Sequence, residues 1–177
     1  MVKDFADYFD RVRERTIRVA ACIPRDKIEW TYKPGKYTFG DILRHLAGTE
    51  RWMFTENAQQ RPSRYPGHAC ELANGYDATF AYIQRMHEEA MSILRSLTEA
   101  DLEKKCVTPG GAELRIGKWM RLMAEHEIHH RGQIYVYLGI LDIATPPIYG
   151  LTEEQVKERS LVLTADGDPP VAGDVVR

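Results

Sequence analysis

The sequence predicts an all-α protein, a four-helix bundle with a crossover connection. Three observations lead there. Four segments repeat apolar residues every three or four positions, and no segment alternates apolar and polar residues as a half-buried strand would. The stretches between those segments are also long, notably residues 24–37 and 59–73. Strict up-and-down order needs only short turns, so long links favour a bundle in which one connection crosses over.

The first helix is expected from Phe5 to about Ile23, with Phe5, Tyr8, Phe9, Val12, Thr16, Val19, Ala20 and Ile23 on its buried stripe. Asp4 stands where a cap would, and Pro24 stops the helix. Arg11, Arg13, Arg15 and Arg18 are interleaved with acids and read as its wet side. The second helix opens at Thr38-Phe39-Gly40-Asp41, a capping-box start with Asp for the usual Glu, and turns Phe39, Ile42, Leu43, Leu46 and Met53 inward. The third follows Asn74-Gly75, with Tyr76, Phe80, Ile83, His87, Ala90, Leu94 and Leu97 at heptad-like spacing. The fourth covers Ile116 to Ile140, after the turn signal Thr108-Pro109-Gly110-Gly111. Thr152-Glu153-Glu154-Gln155 can cap one further short helix. Residues 1–163 are therefore expected as bundle plus short helix, and residues 164–177, rich in Asp, Gly and Pro, as a loosely held tail.

Composition narrows the function. A formal charge of −2 exerts no general pull on nucleic acid or on an acidic membrane surface. Three cysteines, Cys22, Cys70 and Cys106, are odd in number and far apart, which is a poor disulfide framework and fits a reducing compartment. Acids in the first ten residues interrupt the apolar stretch that a signal peptide needs. No run approaches the length of a membrane span. The expectation is a cytoplasmic protein acting on a small molecule, with neither nucleic acid nor membrane as partner.

The chemistry gathers on the fourth helix, in Glu125-His126-Glu127-Ile128-His129-His130-Arg131-Gly132-Gln133. At about 100° per residue, His126 and His130 lie about 40° apart on the wheel, one turn from each other. Trp119, Met123, Ile134, Tyr137 and Leu141 fall on the same side, so the pair sits within the buried stripe while His129 points aside. Two neighbouring inward imidazoles need partners for their nitrogens, and one metal ion serves both. His45, at the margin of the second helix's apolar stripe, is the best-placed third ligand, with Thr49 and Trp52 on the same flank. His87, at a core position of the third helix, is its rival and reads as structural; His68 reads as surface. The residues also spell H-E-x-x-H, the zinc-protease signature in which the Glu is general base. No sheet edge is visible to bind a peptide, and no extended metzincin pattern follows His130. Glu127 falls on the inward half of the helix, as a general base, as a group orienting a histidine, or as a bond to a neighbouring helix.

His126-Glu127-Ile128-His129-His130-Arg131-Gly132-Gln133-Ile134, with Ile42-Leu43-Arg44-His45-Leu46-Ala47 upstream, resembles the DinB/YfiT-like family, as does the lead-in Trp30 to Thr38. The resemblance implies a four-helix bundle holding a divalent metal, zinc or nickel, on His45, His126 and His130. It further implies open coordination positions, metal-dependent transfer chemistry with a low-molecular-weight thiol, and a homodimer. An open position on a divalent ion lowers the pKa of water or a thiol held there. Thiol transfer is therefore the first expectation and hydrolysis the second. A third is a non-catalytic stress-response or interaction module, with His87 or a Glu closing the site. Thr49, Trp52, Gln133 and Tyr137 are the expected pocket wall.

Overall fold

The computed structural model describes residues 2–166. Residues up to Thr145 form one compact unit, and a second begins at Pro146. The first holds α1 (Val2–Ala20), α2 (Phe39–Thr49), a π-helical turn (Glu50–Phe54) that runs on into α3 (Thr55–Ala58), α4 (Tyr76–Ser96), α5 (Glu99–Glu103), strands β1 (Lys105–Val107) and β2 (Glu113–Arg115), and α6 (Ile116–Ile140). The second unit carries α7 (Glu153–Asp166), whose capping motif forms as expected, with the Thr152 hydroxyl accepting from the Gln155 amide. Residues 167–177, most of the expected tail, lie outside the described residues.

The long helices make the expected bundle. α1 packs on α4 and α6, and α2 packs on the same two, so the consecutive helices α1 and α2 occupy opposite corners. The link between them therefore crosses the end of the bundle. α2 starts where its motif requires: Thr38 Oγ1 accepts from the Asp41 amide, and Asp41 accepts from the Thr38 amide. Two expectations fail at the level of elements. A short antiparallel hairpin pairs β1 with β2, built around the expected Pro-Gly-Gly turn. Three-residue strands carry too little alternation to read from sequence. α1 also begins at Val2, so Asp4 lies in its first turn rather than capping it, and Tyr8 is exposed at 47%.

The apolar core has two halves. One gathers the C-terminal ends of α1 and α6 with α2 and the start of α4; the other gathers the N-terminal ends of α1 and α6 with the end of α4 and the hairpin. A buried polar layer lies between them. Arg13 is 3% exposed, inside and not on the wet side, and bonds Glu50 of the π turn; Glu127 of α6 lies 3.1 Å away. His87 of α4 places Nδ1 2.7 Å from Glu50 and Nε2 3.0 Å from Asp10. The period of α1 puts Arg13 four residues beyond Phe9 and three before Thr16, within the inward stripe, and its charge is accommodated because carboxylates wait there.

Both His87 nitrogens face carboxylates, so both must carry hydrogen to donate, which favours the imidazolium. Burial alone pushes its pKa down, but the hydrogen bond and charge of Glu50, with the bond to Asp10, outweigh burial and leave it raised. A raised histidine stabilises the fold fully below its unfolded pKa of about 6.5, and that contribution is lost as pH rises through the folded value. His87→Gln is therefore expected to cost more stability at pH 5.5 than at pH 9. Urea titrations at both pH values check this, and an equal loss at the two would sink it.

Among the described residues, no helix is long and apolar enough to cross a membrane.

Candidate metal centre

Three helix-borne imidazoles meet between α2 and α6. His126 Nε2 lies 3.0 Å from His45 Nε2 and 3.1 Å from His130 Nε2. Among the described residues these three histidines form the one group of His, Cys, Asp or Glu side chains close enough to share an ion. The positions follow from the wheel argument: one turn of α6 separates two of the rings, and α2 presents the third across the seam. Arg44 fixes the neighbourhood of His45. It is fully buried, holds Glu29 and Asp41, and donates from Nε to the His68 carbonyl at 2.7 Å and from Nη1 to the Ala73 carbonyl at 3.1 Å. The loop after α3 is thereby tied against α2. Gly40 makes room for this arrangement, because a Cβ there would lie 2.7 Å from Glu29 Oε1 and 2.8 Å from Arg44 Nη1.

The hydrogen bonds on the far sides of the rings decide what the near sides can do. Gln133 Oε1 lies 2.7 Å from His130 Nδ1 and can only accept, so Nδ1 carries the proton and Nε2 is a bare lone pair. The same amide turns its nitrogen to His129 Nε2 at 3.3 Å. His45 Nδ1 lies 2.7 Å from the Tyr65 hydroxyl, which in turn faces His68 Nδ1 at 3.4 Å. A chain in which His45 donates to Tyr65 and Tyr65 donates to His68 leaves His45 Nε2 bare as well.

Burial first, then the charge of neighbouring histidines, pushes His45 down to about 4 and His126 to about 3; burial likewise lowers His130. Neutral imidazoles whose Nε2 lone pairs crowd one point repel unless a cation stands among them. Nitrogens about 2.0–2.1 Å from one ion are spaced about 2.9 Å at right angles and about 3.4 Å in a tetrahedron. The observed 3.0 and 3.1 Å fall between those limits. The donor set fits a divalent ion.

Outer partners of this kind typically change metal affinity by ~10–100-fold when removed. Gln133→Leu, which leaves His130 Nδ1 without an acceptor, is expected to weaken metal binding within that range while leaving the helical spectrum unchanged. Competition with a chromophoric chelator measures it, and unaltered affinity would remove Gln133 from the site.

The other expected residues fall as follows. Tyr137 gives its hydroxyl to the Tyr37 carbonyl at 3.1 Å and, with Gln133, His129 and Tyr32, lines a groove of about 520 Å³ on the flank of α6. Thr49 is buried, and its hydroxyl bonds the His45 carbonyl at 2.7 Å, inside its own helix. Trp52 lies under two guanidinium groups, Arg51 at 4.1 Å and Arg64 at 4.7 Å. Glu127 has Arg13 as its partner across the bundle, and among the described residues no hydrogen bond joins it to the three histidines. Its bond runs to a neighbouring helix, and the protease arrangement, a Glu facing the metal's open side, does not form.

His68 is a correction. It is not a surface residue but half-buried, with its ring 4.3 Å from Tyr37 and 6.2 Å from His45. His87 is held by Glu50 and Asp10, away from the centre. Sequence reasoning missed Tyr65 altogether. It sits in an irregular loop, where no period says which way a side chain points.

Comparisons with known proteins bear on the family and the fold. A family model described as the DinB superfamily matches residues 8–134. Over 119 residues, 62% of this chain and 69% of the relative, the sequence is 24% identical to a protein of Oceanobacillus iheyensis provisionally named a metal-dependent hydrolase. The crystal structure of the DinB-like protein YjoA from Bacillus subtilis is similar at a TM-score of 0.68 and 18% identity, covering 84% of this chain and 99% of that one. YfiT from Bacillus subtilis, described as a probable metal-dependent hydrolase with an unusual four-helix bundle topology, reaches a TM-score of 0.64 at 15% identity, covering 81% and 89%. At these identities the two structures speak for the fold.

Proposed function

Because this chain belongs to the DinB superfamily, we propose that it is a metal-dependent enzyme whose three-histidine centre activates a small nucleophile, with hydrolysis as the leading reaction. The observation that carries the reading is the convergence of three Nε2 atoms, with the His130 and His45 rings fixed from behind by Gln133 and Tyr65. A divalent ion in that position supplies Lewis-acid chemistry, lowering the pKa of a water or thiol and polarising an acyl or phosphoryl oxygen. The protein's own residues do the rest. His45, His126 and His130 contribute only neutral ligands, which leaves a bound ion its full positive charge. Among the described residues no carboxylate or thiolate completes the group, which argues against a closed structural site. Zinc and nickel both suit imidazole donors.

Thiol transfer is the second reading. A neutral donor set favours an anionic fourth ligand, and a thiolate from a low-molecular-weight thiol meets that preference. Hydrolysis ranks first because the relatives' names point to it. Metal-reconstituted protein assayed against a panel of esters, amides and phosphoesters, and in parallel against electrophiles with glutathione or cysteine, separates the two. Turnover in the first panel that disappears in His45→Ala supports hydrolysis. Turnover only when a thiol is present would replace it.

A further inference from the structure

A second feature adjoins the metal centre. The chain leaving α3, residues 60–65, runs beside β1 and the turn after it, and together they wall a cleft of about 810 Å³. Among the described residues three cations, Arg61, Arg64 and Lys105, stand in its wall, and no carboxylate does. Beneath them lies Glu56, fully buried. Arg61 Nε is 3.0 Å from Glu56 Oε2, Arg64 Nη2 is 3.1 Å from Oε1, and Arg51 Nη1 is 2.6 Å from the same oxygen. Arg51 is further engaged by Glu89 at 2.9 Å.

One carboxylate cannot neutralise two guanidinium groups, so the cleft wall keeps a cationic excess. Glu56 also serves as a jig: it fixes both guanidinium groups from below while their remaining nitrogens stay available. Arg64 is fixed a second time by the ring of Trp52. Lys105 meets Glu113 at 3.0 Å, with the two side chains 67% and 61% exposed, a pair too wet to hold its charge back from a ligand. Held guanidinium groups in a concave wall suit carboxylate and phosphate oxygens, which they bind by paired, charge-assisted hydrogen bonds. Tyr65 links the two features, because it lines this cleft and its hydroxyl bonds His45.

We propose that the cleft is an anion subsite, which receives a carboxylate or phosphate group of the small molecule whose reactive part meets the three-histidine centre. The second half of that statement rests on the metal-centre reading above; the cleft itself does not.

The test is calorimetric titration of the full chain, metal-loaded and chelated, with inorganic phosphate and with succinate, which separate the two anion chemistries. At least one anion is expected to bind saturably in both metal states. Arg61→Gln combined with Lys105→Gln is expected to weaken it by about tenfold or more, as the loss of charge-assisted hydrogen bonds implies. Lys105→Glu alone, at an exposed position that cannot compromise folding, should weaken it as well. His126→Ala should leave it intact, so a failed metal assignment would not touch this result. The subsite is overturned if neither anion binds the wild type more tightly than the folded variants. It is equally overturned if binding appears only with metal present, since the anion would then sit on the ion.

Discussion

His126→Ala is expected to abolish stoichiometric binding of a divalent ion. The ring is the middle ligand, within 3.0 and 3.1 Å of the other two, and its loss leaves His45 and His130 to hold an ion alone. Removing an outer partner costs ~10–100-fold, so removing a ligand should exceed about 100-fold. A stability signature follows. An ion present at about a thousand times its dissociation constant stabilises the native state by about 4 kcal/mol. Chelation should therefore lower the melting temperature of the wild type and leave His126→Ala unmoved. The helical circular dichroism should survive in both, because two apolar half-cores are buried without the ion's help. His129→Ala and His87→Ala are the controls and should retain the ion. Elemental analysis showing a full complement of metal in His126→Ala would defeat the assignment.

The second large effect belongs to Arg13. Arg13→Met keeps the apolar stem but removes the cation that Glu50 and Glu127, each 2% exposed, share, leaving Glu50 with His87 alone. Breaking a buried ion pair from one side typically costs about 3–5 kcal/mol, because the abandoned charge stays desolvated. Glu127→Gln should cost far less. Burial, which exceeds the opposing pull of Arg13, already raises the Glu127 pKa and inclines it toward the neutral form that glutamine mimics. In the Glu127→Gln background the Arg13→Met penalty should shrink, which a double-mutant cycle in urea reads directly. A loss below about 1 kcal/mol for Arg13→Met would mean that water reaches the layer.

The three-histidine cluster was legible because two rules pointed to it. Periodicity turned His126 and His130 inward, and an inward pair of imidazoles needs a shared partner. His45 was legible only as the best remaining candidate, and Gln133 as a neighbour one turn away. The capping boxes at Thr38 and Thr152 were readable because each depends on four consecutive residues. What stayed hidden was polar and long-range. Arg13 borders its helix's apolar stripe, where charge argued for the outside, and Arg44 points away from the apolar stripe of its own helix. Their burial depends on Glu50, Glu127 and Glu29 arriving from other segments, with Asp41 one turn back on Arg44's own helix. Tyr65 and His68 reach the site through a loop that Arg44 clamps, and neither has a period to betray it.

The π-helical turn between α2 and α3 has a consequence for how this chain tolerates changes in length. The Thr55 amide bonds the Glu50 carbonyl five residues back, so this turn holds one residue more than an ordinary helical turn would. Losing one residue here would let the backbone close as an α-helix with α2 and α3 both kept in phase. The same loss between Thr38 and His45 would rotate His45 by about 100° about its axis and carry its imidazole out of the seam with α6. The helix therefore has a stretch where one residue can be lost with the phase kept, lying a single turn beyond the stretch where none can.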